Sequence, residues 1–381
     1  MSSLGIFKEQ FAKKEGLIHL NNAGLSPITK VARDKVIYWT ERFYQEGYYT
    51  DADYKLDLLD SKSNLAKLIG CRAEEIAWFT NTASAISQFA FQIGLRANDE
   101  VVMWDQEYVS NLYPFKQACD LVGAKLKLVS SDVDLSTPTE KYIEAITSKT
   151  KIAAFSSVQF SSGARMDAAA VIAHCKKLGV ITFADIIQEL GVHPLKVWSQ
   201  GIDAVAGGSH KWLASPVGVG YLAIRPDLTS KMKPHSYGSG TFGTCDDATD
   251  LECKPKVDAS KFEPSSKQVL EITALGASCK LFSEVGIEVI ETEALRLARL
   301  LISESKKLSI KINSPFKGEH LSPMVNLKIP DEKIFNVLVN DLKEQNINFA
   351  LRGGGMRFSP HAFNTETEIH KLISIFKKYF N

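Results

Sequence analysis

Between residues 75 and 224 the chain alternates short apolar runs with helix-period segments. That alternation limits the fold more than any other feature. The runs are Glu75–Phe79, Glu100–Trp104, Lys125–Val129, Lys151–Ser157, Val180–Ala184, Asp203–Gly207 and Val217–Ile224, and most are continuous rather than alternating. Runs of that kind are strands covered by helices on both faces. Helical patterns lie between several of them, at Ser84–Gly94, Leu112–Leu121, Thr139–Ile146 and Asp167–Leu178. Helical crossovers join parallel strands. The reading is therefore an α/β fold with a seven-stranded, mostly parallel sheet over roughly residues 17 to 230. In such sheets ligands bind beyond the carboxyl ends of the strands, which is where chemistry is to be sought.

At 381 residues the chain exceeds ordinary single-domain size. Past the sheet, helical segments (Gln268–Leu281, Ile287–Leu308, about Lys333–Gln345, Glu366–Phe380) mix with strand segments (Ile310–Ile312, Met324–Ile329, Ile347–Leu351). The expected division is a large α/β domain over 16–260 and a small α+β domain made of 1–15 with 261–381. The first fifteen residues read as helical. A net charge of +1 supplies no field for nucleic acid or an anionic membrane. The apolar runs fall far short of spanning length, and the N-terminal stretch lacks a signal-peptide pattern. Six widely spaced cysteines form no C-x-x-C pair, which argues against zinc and against a disulfide framework. A cytoplasmic setting is expected.

The chemistry-bearing candidates follow the strands. Gly207-Gly208-Ser209-His210-Lys211-Trp212 lies between the last two runs. A desolvated lysine there has a lowered pKa and can form a Schiff base. Equally, Lys211 on a surface hairpin would rest its stem on Trp212. Thr80-Asn81-Thr82-Ala83-Ser84 precedes an apolar-periodic helix. Its backbone N–H groups suit a phosphate, and an ordinary N-cap explains the same residues. Tyr108 could stack on a planar ligand or pack in the core. Asp185 ends an apolar run, where a carboxylate needs a partner, and Gln188 adds an amide. Asn21-Asn22-Ala23-Gly24 is a loop of small residues entering a helix from about Ile28 to Tyr44. Arg352 and Arg357 flank three glycines and could pair with a carboxylate or stand in solvent. Gly238-Ser239-Gly240-Thr241-Phe242-Gly243 matches G-x-G-x-x-G, but no strand precedes it. It reads instead as part of a long loop over 233–262.

Taken in order, these motifs closely resemble the class V aminotransferase superfamily. These are fold type I enzymes dependent on pyridoxal 5′-phosphate (PLP), and they include cysteine desulfurases, cysteine lyases and isopenicillin epimerase-like proteins. The most specific part is Asp185-x-x-Gln188 followed by Ser209-His210-Lys211-Trp212. The resemblance implies that Lys211 carries the cofactor as a Schiff base and then moves the proton, beside His210. It implies that Asp185 pairs with the pyridinium nitrogen and Gln188 with the ring oxygen, with Tyr108 stacked on the ring. Thr82, Ala83, Ser84 and Ser209 would hold the phosphate, helped by Thr241 of a homodimer partner. Asn22 would line the substrate mouth, and Arg357 would take the α-carboxylate of an amino-acid substrate.

Three positions depart from the family pattern. Ala83 replaces a hydroxyl, and Phe160 stands where desulfurases place an asparagine. No cysteine follows Cys279, where desulfurases carry the nucleophile that forms a persulfide. The expectation is an aminotransferase-like PLP enzyme, with C–S lyase second and epimerase third. A binding protein on the same fold that has lost catalysis is the reading from another class.

Overall fold

A computed structural model describes residues 2–12, 14–47, 52–243, 252–315 and 321–380. The seven apolar runs form one sheet. In chain order its strands are β1 (Ile76–Phe79), β2 (Glu100–Trp104), β3 (Lys125–Val129), β4 (Thr150–Ser156), β5 (Ile181–Asp185), β6 (Ala204–Gly208) and β7 (Gly220–Ile224). They lie side by side in the order β1-β7-β6-β5-β4-β2-β3. β2 to β6 are parallel, and β7 alone runs against both neighbours. The reason is length: residues 209–219 are all that join β6 to β7, too few for a crossover helix. Since β1 also opposes β7, it points the same way as β6. β1 through β6 therefore end at one edge.

Alternate strand residues feed two cores. Val102, Trp104, Phe155 and Ala184 pack on one face with Val171 and Cys175. Val101, Met103, Ala154 and Phe183 pack on the other with Phe89 and Phe115. With both faces covered, neither set can be polar, which explains the continuous runs. Each fully buried Phe or Met side chain contributes about 1.5–3 kcal/mol.

Several boundaries differ from expectation. β7 starts at Gly220 rather than Val217, after a turn in which Gly218 has φ 109°. The second helix starts at Lys30, because the Thr29 side chain caps it by accepting from Ala32. Among the described residues of the first fifteen, only Ser3–Lys8 are helical. A helix at Ala52–Ile69 was not anticipated; it packs along the helix Val269–Val285. Residues 244–251, within the loop expected over 233–262, lie outside the described residues. Cys71, Cys119, Cys175 and Cys279 are free. Cys253 is disulfide-bonded, although the wide cysteine spacing argued against a disulfide framework.

The C-terminal part carries a four-stranded antiparallel sheet: β8 (Lys311–Ile312), β9 (Val325–Lys328), β10 (Ala350–Arg352) and β11 (Gly355–Phe358), in the order β10-β11-β9-β8. The run expected as one strand at Ile347–Leu351 is split. Ile347–Asn348 pairs with Ile18–His19, while β10 turns sharply into β11 through Gly353 (φ 55°) and Gly354 (φ 69°). Two successive positive φ values make the tight hairpin turn that glycine permits. This sheet has its own core, which includes Leu20, Leu297, Leu327, Phe358 and Phe376. Phe7, Ile272, Leu275 and Cys279 belong instead to the core under the large sheet. Among the described residues no helix is long and apolar enough to cross a membrane.

Candidate active site

At the edge where β1 to β6 end, a cavity of about 340 Å³ lies between the two sheets. Each of its key side chains arrives there by topology. Thr82 follows β1, Tyr108 follows β2, Asp185 ends β5, His210 and Lys211 follow β6, and Arg357 comes from β11. Ala83 and Gln188 also line it.

Lys211 is half-buried, its Nζ 5.8 Å from the centre of the Tyr108 ring. Burial lowers its pKa to about 8; Arg357 and Arg352 push the same way, and Asp185 opposes them. A neutral amine is thus accessible near neutral pH. Asp185 is 4% exposed. Burial raises its carboxyl to about 6, against the Ile187 N–H that it accepts at 3.0 Å and the nearby charge of Lys211. Buried and in the cavity lining, the carboxylate is available as an acceptor there. His210 falls to about 4 through burial, then through Lys211, and is neutral at pH 7.

Glycines let the Thr82 turn settle against the sheet. A Cβ on Gly220 would lie 2.2 Å from the Asn81 carbonyl carbon, and one on Gly208 would lie 2.7 Å from Thr82 Oγ1. Asn81 caps the helix Thr82–Gln92 by accepting from the Ser84 N–H at 2.9 Å. The N–H groups of Thr82 and Ala83, in the first helical turn, have no intrahelical acceptor. Thr82 Oγ1 is buried with no partner. The N-cap and phosphate readings of this stretch are compatible, since the cap uses only one of the free donors.

Gln188 is held at both ends of its amide. Oε1 accepts from Trp212 Nε1 at 2.9 Å, and Nε2 donates to the Ala23 carbonyl at 3.0 Å, which leaves one amide hydrogen for the cavity. Arg357 is 3% exposed; it donates to the Phe160 carbonyl and, at 3.3 Å, to Asn21 Oδ1, while its Nε is unpartnered. Burial, then Arg352, lowers its pKa to about 10.

Four expected residues are not in the cavity lining. Asn22 is fully buried and bonds Ser359 and Ser26; Ala23 and Gly24 line the cavity in its place. Ser84 turns back to Asn81, and Ser209 donates to the Pro216 carbonyl. Thr241 is fully buried in its own chain and accepts from the Gly238 N–H at 3.2 Å. Two residues carry more weight than sequence suggested. Arg352 reaches the lining. Glu107, buried and close enough for its charge to raise the Asp185 pKa, accepts from Ser156, Gln159 and Asn111. An acid after an apolar run was the available signal for Glu107, as it was for Asp185.

Known proteins agree with this architecture. An uncharacterized protein of Schizosaccharomyces pombe is 25% identical over 371 residues, covering 95% of this chain and 83% of the relative. A probable cysteine desulfurase of Mycoplasma genitalium is 24% identical, covering 72% of this chain and 68% of the relative. A solved structure of C-DES, a cystine C–S lyase, superposes with a TM-score of 0.87 at 17% identity, covering 98% of this chain and 99% of that one, which shows the same fold. In that structure glycine is covalently linked to the PLP cofactor. The family model for aminotransferase class-V matches residues 43–372. With most of its length matched, the chain belongs to the aminotransferase class-V family, a family of PLP-dependent enzymes.

Proposed function

We propose that this PLP-dependent enzyme acts on a free amino acid, with Lys211 as the cofactor-bearing and proton-moving amine, and that amino-group transfer is its reaction. The observation that carries the reading is the meeting of Lys211, Asp185 and Arg357 in one cavity. The residues fit the cofactor: Thr82 Oγ1 is an orphaned buried hydroxyl at a helix start, suited to phosphate. At the other end, buried Asp185 suits a protonated ring nitrogen. When bound, PLP supplies an electron-withdrawing ring that takes up the electrons released with the α-hydrogen.

The chain's own groups do the rest. Arg357 would pair bidentately with the α-carboxylate, which sets the amino acid's orientation before any bond breaks. Neutral Lys211 can accept the α-proton and return it. Asp185, a buried carboxylate, would pair with the ring nitrogen and favour its protonated form. The free Gln188 hydrogen is available to the ring oxygen, and Tyr108 offers a face to the ring. Asn22 serves this mouth indirectly, by tying the Ala23-Gly24 backbone to Ser359. His210 would stand beside the cofactor in the lining, while Ser84 and Ser209, bonded to Asn81 and the Pro216 carbonyl, would act on the phosphate end only through the backbone they hold.

A C–S lyase is the second reading. No cysteine follows Cys279, which disfavours a persulfide relay, whereas β-elimination needs no chain thiol. We also propose a homodimer in the cytoplasm, with the partner's Thr241 stretch near the cofactor phosphate. We further propose the two-domain division, with the Val269–Val285 helix counted with the large sheet under which it packs.

An absorbance spectrum of the PLP-loaded protein tests the reading. A visible band that disappears in Lys211→Ala is expected, and its absence from wild type would refute the assignment. An amino-acid screen then separates the reactions: amino transfer to a keto acid indicates a transferase, and pyruvate with sulfide a lyase.

A further inference from the structure

We propose that the substrate carries a second anionic group on its side chain, bound by Arg352 while Arg357 takes the α-carboxylate. This rests on the amino-acid reading above. Both arginines line the cavity from adjacent strands, Arg352 at the end of β10 and Arg357 on β11. The Gly353-Gly354 turn holds the two strands in register, with Arg352 opposite Gly355 and Ala350 opposite Arg357. The cavity therefore has two guanidinium groups where one α-carboxylate needs only one.

The charge balance supports the same conclusion. With Lys211 given to the cofactor, Arg352 and Arg357 remain as permanent cations, and Asp185, given to the ring nitrogen, is the single carboxylate among the described lining residues. Among the described residues Arg352 donates to the Leu351 carbonyl at 3.2 Å and makes no ion pair. It is exposed while Arg357 is buried, so it stands nearer the mouth, beyond the α-carboxylate site. The Arg357 Nε, buried and unpartnered, leaves that deeper arginine with a donor to offer a ligand. The Arg352 backbone is anchored in the C-terminal sheet rather than at the helix start that carries Thr82. Its carbonyl accepts from Asn326 at 2.7 Å, and the next residue, Gly353, lies against Ser161. A planar guanidinium fork suits a carboxylate or phosphoryl group better than an amide or apolar side chain.

The test compares charged substrates with their neutral counterparts on the holoenzyme: aspartate with asparagine, glutamate with glutamine, O-phosphoserine with serine. The expected kcat/KM ratio favours at least one anionic member by about tenfold or more. Arg352→Gln should bring that ratio toward one, Arg352→Lys should retain part of it, and Arg352→Glu should invert it. Calorimetric titration with glutarate and with butyrate reads the same site without turnover; tighter glutarate binding that Arg352→Gln removes is expected. Equal kcat/KM for every pair, or a preference untouched in Arg352→Gln, overturns the proposal. A missing Lys211-dependent absorbance band would instead count against the catalytic reading, and the titrations would still decide the role of Arg352.

Discussion

Trp212 donates its indole N–H to Gln188 Oε1 at 2.9 Å, joining the residue after the lysine to the amide three residues after Asp185. The bond fixes which end of the Gln188 amide faces the cavity. Trp212 is fully buried, so the contact is not exchangeable for water.

Trp212→Phe should therefore leave a buried acceptor unpaired and lower stability by about 1–3 kcal/mol. Urea denaturation measures this. Unchanged stability would mean that water or another donor takes over the Gln188 oxygen.

Cofactor capture should depend on pH through Lys211. Its pKa is lowered to about 8, and only the neutral amine attacks the aldehyde. The rate at which cofactor-free protein takes up PLP should rise with pH, with a midpoint near 8. Arg352→Gln should move the midpoint up, because that charge disfavours the protonated amine. Asp185→Asn should move it down. Stopped-flow absorbance gives the profile, and a midpoint near the ordinary lysine value would contradict the burial argument.

Two glycines should respond differently to alanine. At Gly220 the new Cβ meets backbone, 2.2 Å from the Asn81 carbonyl carbon. The strain should cost about 1–3 kcal/mol of stability and weaken PLP binding together. At Gly208 the nearest atom is the Thr82 hydroxyl, at 2.7 Å, which can rotate away. Gly208→Ala should fold almost normally yet bind PLP more weakly. Thermal melts with and without cofactor separate the two effects.

His361 should make folding acid-sensitive. It is fully buried, its Nε2 donates to the Trp212 carbonyl at 3.0 Å, and its Nδ1 accepts from the Ala362 N–H at 2.8 Å. Both ring nitrogens are matched only in the neutral form. Burial lowers its pKa to about 4, with the Trp212 carbonyl opposing. The unfolded chain then binds a proton more readily than the folded one between about pH 6.5 and 4. This group's contribution is intact above that window and is lost as pH falls through it, by at most about 1.4 kcal/mol per pH unit. Asp185, raised to about 6, has the opposite slope, so the measurement is the difference between wild type and His361→Gln. Parallel curves for the two would exclude the effect.

Much of the site was legible because its chemistry is tied to short local patterns. Lys211, Asp185, Gln188 and Thr82 each stand just beyond an apolar run, and parallel strands must end at a common edge. What misled was side-chain direction. Asn22 and Ser209 sit beside lining residues, but their side chains bond other parts of the chain. Sequence spacing carries no information about which way a loop residue turns.

The alternation of apolar runs and helical segments was sufficient for the α/β class, the seven strands and the edge that holds the site, because burial on both faces imposes a composition on each strand. Strand order, the reversal of β7, the approach of β11 and the arrival of Arg352 in the cavity needed the tertiary structure. Each depends on contacts between residues far apart in the chain, such as Arg357 with Asn21 at 3.3 Å. No local propensity encodes those contacts; they arise only when two separately packed cores close on one another.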